Sequence, residues 1–254
     1  MSVGQVIGVV GVTGTAATAL LARLMQQRAR DIENGSFVRE NLGAQNIPDV
    51  WAPYIASRGR FQRGWGMRDT SGGERRPHGA IDICGPQGSV IRAMRSGLVE
   101  HSGQLNGYGE AILLRHVDGS TSLYAHLNER GVEQGALVQG GSPIAIMGRT
   151  STSGQKPTNP QIQGSPRVVR QNPIRTQDPR CSQFPSMSVH THFSIHGVEQ
   201  DKLPHSSRFN RTISSDKEWR YGVDPQTYLG QHGVRMFAQE VSACPQWDPN
   251  WSIA

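Results

Sequence analysis

The chain has 254 residues, a formal net charge of +6, 35% hydrophobic residues and three cysteines. This length can hold one substantial domain with appendages, and three cysteines do not define a disulfide framework. The positive charge favours anionic partners. A nucleic acid is not expected, because no recognition helix, zinc-finger spacing or aromatic RNA-binding motif accompanies the charge.

The N-terminal residues 1–22 contain no charged side chain and have an apolar centre at 6–10. Their length approaches the roughly 20 residues that span a bilayer, so membrane association through a membrane anchor is the favoured interpretation. A cleaved signal comes next, because Ala-Thr-Ala at 17–19 resembles a cleavage site. An ordinary buried helix is the third interpretation. We assign 1–25 to an apolar N-terminal helix and 26–47 to a linker that begins with a short helix.

The central part of the chain predicts antiparallel β-structure. An Asp-Gly dipeptide separates the apolar runs 111–114 and 122–125, a spacing typical of a β-hairpin. Side chains in the second run alternate, which predicts Leu127 on an apolar face and Tyr124 and His126 on the polar face of a half-buried strand. The predicted fold class is mainly β, with an antiparallel sheet core, a long loop insertion and the N-terminal apolar helix.

Three short runs carry the residue types of a catalytic site. His78 and Asp82 are four positions apart, His126 lies in a Tyr-Ala-His-Leu run, and His190 and His192 are two apart. In extended segments, even offsets put paired side chains on one face, so each pair can point into one groove. Two histidines and a carboxylate suit a catalytic zinc site with a position left for water, and two further histidines can transfer protons. Each run alone is also compatible with a solvated surface, but together they favour a zinc hydrolase.

At these residues the chain resembles the lysostaphin/LytM-type zinc metallopeptidases, which cut peptide bonds in bacterial peptidoglycan. The resemblance covers about residues 50 to 230. It also includes shorter segments in the family's order: Gly66-Met-Arg68, Arg92-Ala93, Gly97-Leu-Val99, Gly107-Tyr-Gly109, Gly135-Ala-Leu-Val138 and Val223-Asp-Pro225.

The resemblance implies a zinc-dependent endopeptidase that hydrolyses peptidoglycan stem or cross-link peptides. Carried over by position, it makes His78, Asp82 and His192 the zinc (Zn²⁺) ligands and His126 and His190 the catalytic residues. We assign proton transfer mainly to His190 and transition-state stabilisation mainly to His126, and these roles can be exchanged.

The resemblance also implies peptidoglycan as the partner and the cell envelope as the location, with the protein membrane-anchored, periplasmic or extracellular. A virion-associated enzyme is the alternative location. Two other functions stay open. One is a non-catalytic wall-binding or regulatory module, and the other is a component of a virion or secretion apparatus that uses local wall hydrolysis.

One departure from the family pattern is Cys84, which stands two positions after Asp82 where a small apolar residue is usual. A thiolate there can bind zinc. Burial as a small hydrophobic residue is the favoured interpretation.

A second departure is an insertion at 155–187, where the family has a short glycine-rich turn. Loops of this length without secondary structure are usually functional or disordered, so we expect it to wall the substrate groove. A tolerated surface loop is the alternative. We assign the metallopeptidase domain to 48–230 and a C-terminal tail to 231–254. Cys181 and Cys244 form a candidate pair in an oxidising compartment.

Overall fold

Helices and strands are defined by a computed structural model, which describes residues 10–69, 75–86, 88–105, 107–148, 150, 189–197 and 222–241. The helices are α1 (Val10–Glu33), α2 (Ser36–Ala44) and α3 (Pro225–Gln231). The strands are β1 (Tyr54–Arg63), β2 (Gly66–Asp69), β3 (Arg75–His78), β4 (Ile81–Cys84), β5 (Val90–Arg92), β6 (Gly97–Leu105), β7 (Gly109–Arg115), β8 (Thr121–Arg130), β9 (Leu137–Val138), β10 (Pro143–Met147), β11 (His190–His196), β12 (Gly222–Val223) and β13 (Arg235–Glu240). The predicted insertion, Cys181 and Cys244 lie outside the described residues.

Six strands close into a ring in the order β8, β11, β4, β1, β5, β10 and back to β8. The ring closes because β11 pairs with β4 along one edge and with β8 along the other. Strands β7, β6 and β9 extend the sheet from β8, and β12 pairs with β11. All these pairs are antiparallel, which confirms the predicted fold class. Strands β2 and β3 form a separate two-stranded sheet.

Fully buried apolar side chains of the ring strands form the main core. The rings of Tyr124 and Phe193 lie 5.1 Å apart between centroids and join β8 to β11. Burial of each such side chain stabilises the fold by about 1.5–3 kcal/mol. The strands that carry the candidate site are therefore anchored by their apolar faces.

Residues 26–47, predicted as a linker with a short helix, are largely helical and partly packed. They contain the end of α1 and all of α2. Val38 and Leu42 are buried against Leu98 and Val117 of the β-domain. The spacing of Val38 and Leu42 puts both on one face of a helix, which the sheet covers, so this part of the predicted linker packs on the β-domain.

Helix α1 extends beyond the predicted apolar segment 1–25 and ends at Glu33. Its last turns hold charged residues, and the predicted apolar character of the whole helix is not confirmed. Three large apolar side chains near its middle are exposed: Leu21, Leu24 and Met25. Within the described ranges, no helix is both long and apolar enough to cross a membrane. Residues 1–9 lie outside those ranges, and the membrane anchor stays a prediction.

The predicted hairpin is confirmed as β7 and β8, but the predicted alternation in β8 is wrong. The first eight residues of β8 are all buried, so the strand is not half-exposed. Tyr124 and Leu127 both lie in the main core, whereas Leu123 and Ala125 lie in a second cluster. The register explains this: Leu127 lies opposite Glu110 and Tyr124 opposite Ile112, so β8 has one extra residue at this point. Such a bulge shifts all later side chains to the other face.

Part of the predicted C-terminal tail belongs to the β-domain. Strand β13 runs parallel to β1, with Arg235 opposite Tyr54. Val234 lies in the main core, and the ring of His232 stacks on Trp51 at a centroid distance of 3.9 Å. Within the predicted tail, the apolar side chains of β13 therefore pack on the core. Residues 242–254 lie outside the described residues.

Candidate active site

Strands β4 and β11 present polar side chains on one face because their apolar residues occupy the core on the other. In β4, Ile81 and Ile83 are core residues, and Asp82 lies between them. In β11, Phe193 is a core residue and His192 precedes it. Asp82 and His192 are directly opposite each other in the register of the two strands. The pairing therefore brings together two residues that are 110 positions apart in sequence.

His78 reaches this face from a different sheet. It ends β3, whereas Asp82 belongs to β4. The sequence predicted both residues on one face of a single extended segment. They belong instead to two different strands. The chain turns between them and still places His78 Nε2 at 3.3 Å from Asp82 Oδ1. His78 Nδ1 is 2.7 Å from the carbonyl oxygen of Gly64 and donates to it, so Nε2 is the ring nitrogen that faces Asp82.

His78, Asp82 and His192 can hold one metal ion. Their ligand atoms all lie within 4.8 Å of one another, and all three residues are buried. His192 turns Nδ1 towards Asp82 Oδ1 at 3.1 Å. Two imidazoles and one carboxylate form a donor set that suits zinc and leaves room for a further ligand.

The carboxyl group of Asp82 is held in its ionised form. Burial opposes ionisation, but the nearby His78 and hydrogen bonds from His192 and His78 outweigh it, and the pKa of Asp82 lies well below its usual range. The second oxygen of Asp82 faces Arg63, whose Nη1 is 3.4 Å away. A carboxylate with one oxygen directed at the metal-ligand cluster and the other at an arginine is fixed in orientation.

His126 and His190 lie beside this cluster. Their ring centroids are 4.8 Å apart, and the ring of His126 is 5.8 Å from that of His192. His126 Nδ1 is 2.7 Å from the carbonyl oxygen of Thr150. Burial, followed by the charges of His190 and His192, lowers the pKa of His126 to about 3. His126 is therefore neutral near pH 7.

The backbone of His126 has an uncommon conformation, with a φ angle of 59°. It lies at the bulge of β8, where its N–H donates to the carbonyl oxygen of Tyr108 at 2.8 Å. Side chains other than glycine occupy this left-handed region rarely, and such strain concentrates at functional sites. The bulge turns His126 out of the strand's alternation and towards the histidines of β11.

The structure thus brings together all five residues that the sequence selected: His78, Asp82, His126, His190 and His192. Sequence reasoning missed Tyr108 and Thr150. The ring of Tyr108 lies 5.5 Å from that of His192, edge to face. Its only sequence signal was its place between two glycines. Cys84 is buried and directly opposite His190.

Two further histidines of the described residues, His116 and His196, have contacts outside this cluster. His116 is fully buried and contacts the carbonyl oxygen of Ser96 and the hydroxyl of Ser122. His196 Nε2 lies 2.8 Å from the Ser194 hydroxyl. These contacts fit structural roles in the sheet.

Comparison with known proteins finds a family match over part of the chain. Residues 76–164 match the sequence model of Peptidase family M23. The chain is 38% identical over 101 residues to the DD-carboxypeptidase/endopeptidase Mpg of Neisseria meningitidis. The aligned residues cover 39% of this chain and 22% of Mpg. It is 38% identical over 86 residues to the Murein hydrolase activator NlpD of Escherichia coli, with 34% of this chain and 23% of NlpD covered. The chain thus spans less than a quarter of the length of these curated relatives.

Among solved structures, the chain is similar to the antimicrobial peptidase lysostaphin from Staphylococcus simulans, with a TM-score of 0.41 and 20% sequence identity. The superposition covers 71% of this chain and 51% of lysostaphin. The family match includes His78, Asp82 and His126 and ends before β11. Over residues 76–164 the chain thus matches Peptidase family M23, and this match confirms the predicted resemblance to the lysostaphin/LytM-type metallopeptidases.

Proposed function

We propose that the chain is a zinc-dependent endopeptidase that hydrolyses peptide bonds in peptidoglycan stem or cross-link peptides. The observation that carries this proposal is the cluster of three buried metal-ligand side chains with two further histidines beside it. The similarity to Mpg, a DD-carboxypeptidase/endopeptidase, supports a peptide substrate of this class. The cell envelope is the proposed location, as for the relative named Outer membrane antigenic lipoprotein B of Haemophilus influenzae.

His78, Asp82 and His192 are the proposed zinc ligands. His78 offers Nε2, because its Nδ1 donates to Gly64, and Asp82 offers an ionised oxygen. Zinc at such a site supplies a Lewis acid and lowers the pKa of water towards neutrality. Arg63 holds the other oxygen of Asp82 and fixes the plane of the carboxylate.

His126 is the proposed general base. A neutral imidazole that donates through Nδ1 accepts through Nε2, and His126 directs Nδ1 at the carbonyl oxygen of Thr150. Its Nε2 can therefore take a proton from the attacking water and return it to the leaving amine. This assignment exchanges the roles expected from the sequence, since it leaves His190 to stabilise the oxyanion of the tetrahedral intermediate.

A regulatory module is the second candidate function. It is favoured by the likeness to NlpD, a murein hydrolase activator. The complete set of candidate ligands and catalytic histidines argues against it, because a binding module has no need of three candidate metal ligands with two further histidines beside them.

Digestion of purified sacculi separates the two candidates. The zinc-loaded protein and its His126→Ala and His190→Ala variants are incubated with sacculi of several wall types, and the released muropeptides are identified by mass spectrometry. We expect release by the wild type and loss of most turnover in both variants at matched zinc content. Binding of sacculi without any release would support the regulatory module and contradict the endopeptidase.

A further inference from the structure

Thr150 contacts the backbones of β7 and β8 through its hydroxyl, at one end of the β8 bulge. Thr150 is 2% exposed. Its Oγ1 accepts the N–H of Glu110 at 2.9 Å and donates to the carbonyl oxygen of Leu127 at 2.7 Å. Glu110 and Leu127 are directly opposite each other in β7 and β8. The hydroxyl therefore bridges the two strands at the end of the bulge that contains His126.

The main chain of Thr150 contacts His126 itself. Its carbonyl oxygen lies 2.7 Å from His126 Nδ1 and accepts a hydrogen bond from it. One residue thus holds the bulge through its side chain and the imidazole through its backbone. If the hydroxyl is lost, the buried Glu110 N–H and Leu127 carbonyl lose a partner and the segment that bears the Thr150 carbonyl loses its anchor.

Close packing against Gly109 keeps this carbonyl in place. Gly109 has a φ angle of +67°, and a Cβ added there would lie 2.4 Å from the carbonyl carbon and oxygen of Thr150. The two backbones therefore touch at a distance that only glycine permits. Thr150 has no room to move towards β7, and its hydroxyl holds it against β8.

We propose that Thr150 is a positioning residue for catalysis, whose hydroxyl fixes the carbonyl that holds His126 in the Nδ1–H tautomer with Nε2 directed to the reaction. This inference rests on the proposed function and deepens it. A protonated Nδ1 is needed for Nε2 to act as a base, and a small displacement of the ring costs catalysis steeply.

The matched variants are Thr150→Val, which keeps the shape and removes the hydroxyl, and Thr150→Ser, which keeps the hydroxyl. We expect Thr150→Val to bind zinc as the wild type does and to lower kcat about 100-fold with little change in KM, as a misplaced catalytic group does. Thr150→Ser should stay within about threefold of wild-type kcat, because the bridge is retained. Thr150→Ala is expected to match Thr150→Val and replaces it if the valine does not fold.

A spectroscopic measurement tests the same inference without activity. The ¹⁵N imidazole signals of His126, assigned with His126→Ala, should show a protonated Nδ1 and an unprotonated Nε2 in wild type and Thr150→Ser. In Thr150→Val they should show a mixture of tautomers. Wild-type kcat and unchanged His126 signals in Thr150→Val would overturn the inference. An inactive wild type with the expected tautomer shift would refute the proposed function and leave the positioning by Thr150 standing.

Discussion

Acid should destabilise this fold through His116, a residue away from the candidate site. His116 is fully buried, with Nδ1 3.0 Å from the Ser96 carbonyl oxygen and Nε2 2.9 Å from the Ser122 hydroxyl. The Ser122 hydroxyl is in turn 3.2 Å from the hydroxyl of Tyr124. Burial lowers the pKa of His116 from 6.5 to about 4, although the hydrogen bond with Ser96 opposes this shift.

The sign of the effect follows from proton uptake. Below pH 6.5 the unfolded chain takes up a proton at His116, and the folded protein does not do so until about pH 4. The contribution of neutral His116 to stability is therefore fully present above pH 6.5 and is lost as the pH falls towards 4. At about 1.4 kcal/mol per pKa unit, the loss amounts to about 3 kcal/mol.

Urea unfolding of metal-free wild type and His116→Gln at pH 7 and pH 4 measures this loss. Glutamine keeps a donor and an acceptor and does not titrate. We expect the free energy of unfolding of the wild type to fall by about 3 kcal/mol more than that of the variant between the two pH values. Other acid-sensitive groups act in both proteins and cancel in the difference. Parallel losses in the two proteins would show that His116 does not cause the loss of stability in acid.

Three further outcomes are expected. Gly109→Ala should lower the free energy of unfolding by more than about 2 kcal/mol, because the added methyl group meets the Thr150 backbone and the residue also has a strained positive φ. Gly107→Ala is the control for the strain alone, because Gly107 has a φ of +83° and a Cβ added there has no atom within 4 Å. Arg63→Met should weaken zinc affinity about 10- to 100-fold in a competition titration, because the carboxylate ligand loses the partner of its second oxygen; unchanged affinity would contradict this role. Replacing residues 156–185 by a Gly-Ser turn should keep zinc binding and impair activity on sacculi more than on a small peptide, with weaker salt dependence of sacculus binding. Equal activity on both substrates would identify that insertion as a tolerated loop.

The composition of the site could be predicted from the sequence because its residues occur in short runs with fixed spacing. His190 and His192 are two positions apart in one strand, and that spacing alone puts them on one face. The apolar neighbours Ile81 and Ile83 likewise determine which face Asp82 occupies. These are local properties of a strand, and the sequence expresses them directly.

The geometry around His126 could not be predicted in this way. The bulge depends on the register between β7 and β8 and on Thr150, which lies 24 residues from His126 in the sequence. Alternation in β8 alone would put His126 on the same face as Tyr124. Only the pairing of Leu127 with Glu110 shows that β8 has one extra residue at this point. Tertiary contacts decided these features, and a single-sequence pattern contains no record of them.

The packing of the chain's outer segments was missed for a related reason. Val38 and Leu42 form a short apolar stripe that becomes informative only when Leu98 and Val117 cover it. Strand β13 pairs in parallel with β1, about 180 residues earlier in the chain, and no turn motif marks such a pairing.

The most direct test of the central claim is release of muropeptides from purified sacculi by the full-length protein, measured with and without zinc. We expect that the metal-free protein releases nothing, that one zinc per chain restores release, and that Asp82→Ala neither retains zinc nor releases fragments. Release by the metal-free protein, or by Asp82→Ala at wild-type rate, would contradict a zinc-dependent endopeptidase centred on His78, Asp82 and His192.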